Sequence, residues 1–237
     1  MTYTKCGSKD KSNFLQTAAA EQIQRHTNLV RQGLDPCILP PCPRCGITPN
    51  FFKRHEKRRR KFNIIFEQFV KMVLGLLSRW KCPGCNKTAT SYPWFALPYK
   101  RYTIPTIQTF NQAYVEDPAI SYRKLVAACP LVYEMSPDSD SNREPMMEHS
   151  TIHRWISTMG SYSRLVQNAT DLILQADPAS SLCRDLAGLK ISPGKYRSSS
   201  RKQTLLTCFH LVFLMPIYQA IFRTGIFPEL ATRSGYT

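Results

Sequence analysis

The chain has 237 residues, 43% of them hydrophobic, which leaves room for one large or two small folded domains. Its 32 Lys and Arg against 16 Asp and Glu give a formal net charge of +16, a field that attracts polyanions, chiefly nucleic acid and less often an anionic membrane surface. Nine cysteines, an odd number, with no apolar signal core after Met1, argue against the disulfide framework of an exported protein and for a reducing compartment.

From Ser12 a helix is expected. Leu15, Ala18, Ala19, Ile23, His26, Leu29 and Val30 recur at three- and four-residue steps, and Gly33 stands where a C-terminal cap belongs. Such a stripe needs an apolar partner, in its own domain or on another chain. The proline-rich stretch 35–50 then holds Cys42-Pro-Arg-Cys45-Gly, and the same spacing returns in Cys82-Pro-Gly-Cys85, with thirty-six residues between the two pairs. Cysteines two residues apart turn both sulfurs toward one ion, because the tight turn between them frees backbone N–H groups to bond the thiolates. Two such pairs close a tetrahedral site with no open position, the pattern of a structural Zn2+. A disulfide and a redox dithiol are the competing readings. Cys37 lacks a partner at this spacing and reads as a loop residue. Cys6, Cys129, Cys183 and Cys208 are scattered, as small buried hydrophobes or surface thiols.

Between the pairs runs a basic segment flanked by aromatics, Phe51-Phe-Lys-Arg-His-Glu-Lys-Arg-Arg-Arg-Lys-Phe62. Lys53, Arg54, Arg58, Arg59, Arg60 and Lys61 are candidate phosphate contacts, where each neutralised charge releases counterions and makes binding fall with salt. The bland alternative is a solvated loop. The apolar stretch from Phe66 to Trp80 suits a ribbon strand leading into the second pair; a helix inserted over Asn63 to Leu77 suits the length equally.

After the second pair comes a connector rich in proline and aromatics, Ser91 to Tyr102, whose Lys100 and Arg101 join the candidate DNA contacts. Thr103 and Pro105 mark the start of a helix with Ile107, Phe110 and Tyr114 on its buried face, broken at Asp117-Pro118. Ser121 caps a second helix over Tyr122 to Ala128, exposing Arg123 and Lys124. A polar loop is expected from Cys129 to Glu148. Ser150 then caps a third helix with Ile152, Trp155, Ile156 and Met159 inward. Three short helices in this order predict a homeodomain-like helix-turn-helix, with Thr151, His153, Arg154 and Ser157 facing the bases. Arg154 has the planar guanidinium that bonds guanine in two places. His149 and His153 are spaced i, i+4 but lack acidic or cysteine partners, so they are not read as metal ligands.

The third helix is expected to continue through Leu165, Val166, Ala169, Leu172 and Ile173 to Ala176. Residues 180–200 read as a linker with a second basic cluster, Lys195, Arg197, Arg201 and Lys202, within reach of phosphate. From Thr204 to Phe222 the chain is strongly apolar and almost as long as a membrane span, but His210, Pro216 and Gln219 interrupt it. A helix covered by its own protein, by a second copy or by a partner chain is the expectation, and no membrane association.

The order of the motifs resembles transposon-associated proteins, in which a zinc ribbon precedes a helix-turn-helix, as at the front of several bacterial insertion-sequence transposases. The residues that carry the likeness are the two cysteine pairs, Trp80-Lys-Cys-Pro-Gly-Cys85, Trp94-Phe-Ala-Leu-Pro-Tyr-Lys-Arg-Tyr102 and His149-Ser-Thr-Ile-His-Arg-Trp-Ile156, over roughly residues 40 to 160. The resemblance implies zinc held by Cys42, Cys45, Cys82 and Cys85, and double-stranded DNA, element-end or target, as partner; the C-terminal apolar helix offers a transposase or a second copy as a further partner. It also implies a bacterial cytoplasmic, nucleoid-associated location. Only sixty residues follow Asp177, too few for the ribonuclease-H-like core whose carboxylates hold two metal ions in such enzymes. The expectation is therefore a non-enzymatic accessory protein of a mobile element. A DNA-recognition subunit or truncated transposase, and a zinc-ribbon protein-interaction module, are the alternatives.

The expected fold is mainly α with a small β zinc ribbon and a homeodomain-like helix-turn-helix. Its parts are an N-terminal helix (1–34), a zinc ribbon with basic insert (35–102), a helix-turn-helix with extended third helix (103–177), and a basic linker with apolar C-terminal helix (178–237).

Overall fold

A computed structural model describes residues 9–66, 69–133 and 147–227. The chain divides into two compact units, a ribbon unit built mainly from residues 10–105 and a helical unit from residues 106–226.

The ribbon unit opens with helix α1 (Lys9–Gln32), which ends at Gly33 in the left-handed region, φ +78°, where the sequence places the cap. Of the expected stripe, Ala19, Ile23 and Val30 are fully buried; Leu15 and Ala18 lie outside the described side chains. The strands follow: β1 (Lys53–Phe66), β2 (Phe69–Lys81) and β3 (Thr88–Thr90), antiparallel and in that order across the sheet. β1 and β2 form one long hairpin, paired from Lys53 opposite Lys81 to Phe66 opposite Phe69, with a bulge between Arg54 and Glu56. Ala19 and Ile23 of α1 pack with Phe62, Ile64, Leu77, Phe95 and Ala96 as one apolar cluster. At about 1.5–3 kcal/mol for each large side chain fully buried, this contact holds α1 to the hairpin. The connector runs beside β1, where Asn63 N–H donates to Arg101 C=O at 2.8 Å and Thr103 N–H to Asn63 C=O at 3.3 Å.

The helical unit contains α2 (Ile104–Glu116, which starts at the unit boundary), α3 (Tyr122–Ala128), a two-residue strand β4 (Val132–Tyr133), α4 (His149–Gly160), α5 (Ser163–Ala176), α6 (Leu182–Gly188) and α7 (Ser199–Phe222). Ser121 caps α3 through its side chain as expected, accepting from Lys124 N–H. α7 packs on α4 and α5, and α4 also meets α3. The core comprises Ile152, Trp155, Ile156 and Met159 of α4, Leu165, Ala169 and Ile173 of α5, and Leu205, Cys208, Leu211 and Val212 of α7. Gly160 closes α4 where a Cβ would stand 2.2 Å from the carbonyl oxygen of Thr204, so only hydrogen fits between α4 and α7. By length and composition α7 is apolar enough to cross a membrane, and 44% of its most apolar window is buried within the protein.

This architecture corrects the expected fold class. The protein is mixed α/β rather than mainly α with a small ribbon. Between Asn63 and Leu77 the described residues are strand, 63–66 in β1 and 69–77 in β2, and among them there is no inserted helix. The homeodomain-like helix-turn-helix does not stand either: the third helix stops at Gly160, α5 begins at Ser163, and α7 lies against both. Ser161 and Tyr162 break the helix because Ser161 Oγ donates to Thr158 C=O, a local bond that competes with the helical ladder. Glu148, not Ser150, is the first residue of α4's cap. The expected linker 180–200 contains α6. Most of the expected loop from Cys129 to Glu148, residues 134–146, lies outside the described residues.

Candidate metal centre

The two cysteine pairs fold as matching knuckles. In the first, Cys42 N–H donates to Ile47 C=O and Gly46 N–H to Cys42 C=O, both at 2.8 Å. In the second, Cys82 N–H donates to Lys87 C=O at 2.8 Å and Asn86 N–H to Cys82 C=O at 3.0 Å. Each turn needs a left-handed residue after its second cysteine, and the sequence supplies the two types that adopt it most readily, Gly46 at φ +73° and Asn86 at φ +60°. Leu39, Phe52 and Ala89 seal Cys42 and Cys82 into a small apolar cluster with Ile47 and Trp80 beside it.

All four sulfurs lie within 4.8 Å of one another, the one such group among the described residues. Cys42 Sγ is 3.5 Å from Cys85 Sγ, and Cys45 Sγ is 3.4 Å from Cys82 Sγ. A tetrahedron of metal–sulfur bonds about 2.3 Å long has edges of roughly 3.8 Å, so the four donors fit a metal ion. Without a cation such a cluster cannot hold four thiolates. Burial works to raise Cys42, but the N–H groups of Arg44 and Cys45 and the neighbouring thiols outweigh it and bring its pKa to about 6. At Cys45 the N–H of Ile47 lowers the pKa, yet the other three sulfurs together with burial push it up to about 12. One negative charge in the cluster thus disfavours the next, and a divalent cation relieves that conflict. Cys37 stands outside the group, half-buried, and burial pushes its thiol up.

The knuckles anchor the open end of the hairpin, and the basic run occupies β1. Lys53, Arg58, Arg59 and Lys61 are exposed, as are His55 and Lys57. The other two arginines of the expected set turn inward. Arg54 pairs with the buried carboxylate of Asp35, donates to Ser78 Oγ at 3.0 Å and Gly33 C=O at 3.1 Å, and lies 4.8 Å from the Trp80 ring centre. Arg60 donates to the carbonyls of Leu97 and Lys100, with Tyr92 5.0 Å away, and burial lowers its pKa. That brace holds the turn in which Tyr99 adopts φ +60° and stands 82% exposed, followed by Lys100, half-buried, and Arg101, exposed. The apolar side chains Met72 and Leu74, opposite Asn63 and Lys61, are exposed as well.

In the helical unit, Arg123, Lys124, His153 and Arg154 are exposed, and Thr151 is half-buried. Ser157 accepts a hydrogen bond from Arg201 at 3.1 Å. Sequence reasoning missed Asp35 as the partner of Arg54, and it placed Arg201 in a linker. A lone buried acid eighteen residues before a basic run carries no periodic signal, and Arg201's position depends on where α7 folds back.

A four-cysteine, two-knuckle centre at the root of a cationic hairpin defines the ribbon unit. The profile of a family described only as a domain of unknown function (DUF6431) matches residues 42–155, just under half of the chain, from the first knuckle into α4. No curated protein and no solved structure matches the chain.

Proposed function

We propose that the protein is a non-enzymatic accessory protein of a mobile element that binds duplex DNA, with Zn2+ on Cys42, Cys45, Cys82 and Cys85 fixing the hairpin that meets the DNA. The observation that carries this reading is the exposed row Lys53, His55, Lys57, Arg58, Arg59 and Lys61 on one strand, with Glu56 the one acid among them. With thirteen register pairs at about 3.3 Å per residue, the ribbon extends about 40 Å. A major groove admits a two-stranded ribbon. Zinc suits the site because four thiolates without an open position hold a structural ion. The mobile-element part rests on the order of motifs in the sequence.

Fluorescence anisotropy with a labelled duplex, read across salt concentration, tests the reading. Affinity should fall steeply with salt, and replacing Arg58, Arg59 and Lys61 together with Ala should reduce the slope of log affinity against log salt by about 2–3. Absent or salt-insensitive binding would overturn it. Nicking of a duplex by the purified, metal-loaded chain would overturn the non-enzymatic part.

A further inference from the structure

Away from the ribbon, the helical unit gathers hydrogen-bond donors from three helices in one place. Tyr122 opens α3, His153 and Ser157 stand one turn apart on α4, and Arg201 lies in the first turn of α7. Arg201 donates from one Nη to Ser157 Oγ at 3.1 Å and from the other to the hydroxyl of Tyr122. The Tyr122 ring stacks on Tyr114 with centroids 4.1 Å apart, and His153 packs edge-on to Tyr122 at 5.6 Å. Lys195 braces the pair from behind, with Nζ 4.1 Å from the Tyr114 ring centre and a hydrogen bond to the Tyr114 carbonyl.

The chemistry of this cluster is one-sided. A hydroxyl that accepts from a guanidinium still has its own proton to give, so Tyr122 and Ser157 present O–H donors beside the remaining N–H groups of Arg201. Tyr114 is held well above the ordinary phenol range, first by burial and then by its hydrogen bond to Tyr122. Among the described residues no carboxylate pairs with Arg201. The pKa of His153 is lowered by its partial burial and then by the charges of Arg201 and Arg154. Ser198 caps α7 through its side chain, and the 24-residue helix adds its positive end at the same spot.

We propose that Tyr122, Ser157 and Arg201, with His153 and Arg154 at the rim, form an oxyanion site for a phosphate group. Resting on the duplex-binding reading above, its occupant is a backbone phosphodiester of the bound DNA. A phosphate supplies an anionic acceptor, which Arg201 lacks among the described residues, and a guanidinium flanked by two hydroxyls matches its tetrahedral oxygens. The site lies in a unit that holds no part of the ribbon, so the two surfaces can be broken separately.

The test uses the full-length, metal-loaded protein and two probes. Inorganic phosphate is titrated while the ring-proton resonances of His153 are followed by NMR. The duplex is titrated by anisotropy across salt. In the wild type, phosphate should move the His153 resonances saturably; Arg201→Met should abolish the response, and Tyr122→Phe should weaken it about tenfold. Arg201→Met should also lower the salt slope for duplex by about one. Ser157→Ala, which removes one hydroxyl from a half-buried position, guards against mere loss of folding and should likewise weaken phosphate binding. His153 resonances that stay still, or that move equally in Arg201→Met, overturn the site. A phosphate response lost in Arg201→Met, alongside no duplex binding by the wild type, keeps the oxyanion site and sinks the duplex reading. Duplex binding that depends on the hairpin but not on Arg201, with no phosphate response, sinks the site alone.

Discussion

The two units are stabilised by different means, and the difference teaches how each should fail. The ribbon unit carries a thin apolar cluster, two inward-facing arginines and four sulfurs. The helical unit is packed through long apolar faces, with α7 lying on α4 and α5. A sheet with so much charge on one strand draws its rigidity from the knuckles; a helical stack of this kind needs no ion. Perturbations should therefore separate the two.

Metal removal tests this most severely. A chelator, or Cys82→Ser, should abolish the ribbon unit's cooperative unfolding transition, because apparent structural-zinc binding energies are on the order of 10 kcal/mol. Metal content should fall together with that transition, while the helical circular dichroism of the other unit persists. A single transition that shifts as one would break the comparison. Next in size is Asp35→Ala. It leaves the Arg54 guanidinium without its carboxylate, which is 2% exposed, and should cost the ribbon unit about 3 kcal/mol in a denaturant melt. On the other side, Gly160→Ala drives a Cβ against the Thr204 carbonyl and should cost the helical unit about 1–3 kcal/mol, leaving metal content unchanged. The smallest effect is expected at the knuckle turns. Gly46→Ala forces a left-handed conformation on an L-residue and should cost about 1 kcal/mol, whereas Asn86→Gly should be close to neutral. Both are read as shifts in the metal-dependent transition.

The four-cysteine cluster was legible because its signal is local. Ligand spacing, the turn residues and the αL position all fall within six residues of one another in each knuckle. The Gly33 cap and the Ser121 cap were legible for the same reason. The hairpin was legible only in part: a ribbon strand over Phe66 to Trp80 stood beside an inserted helix as an equal reading, and β2 bears out the strand, whereas β1 gave no such signal. A strand buried on one face announces itself by apolar alternation, but in β1 two of the inward positions are Arg54 and Arg60, so the period is hidden until the partners Asp35, Leu97 and Lys100 are in place. The break between α4 and α5 was hidden as well. Leu165, Ala169 and Ile173 continue the apolar period across it, and the reason for Gly160 lies in Thr204, far along the chain.

The knuckles also act on the hairpin as a gauge. They sit at one end, Cys82 directly after Lys81 and Cys45 eight residues ahead of Lys53, while the pairing runs to Phe66 opposite Phe69 at the other. Deleting one residue from β2, which runs into Cys82 with no residue to spare, would slide its rungs against β1 unless a further bulge like that between Arg54 and Glu56 took up the difference. The length of β2 is therefore tied to how the four sulfurs converge, whereas the connection from Cys45 to Lys53 leaves the other arm room to adjust.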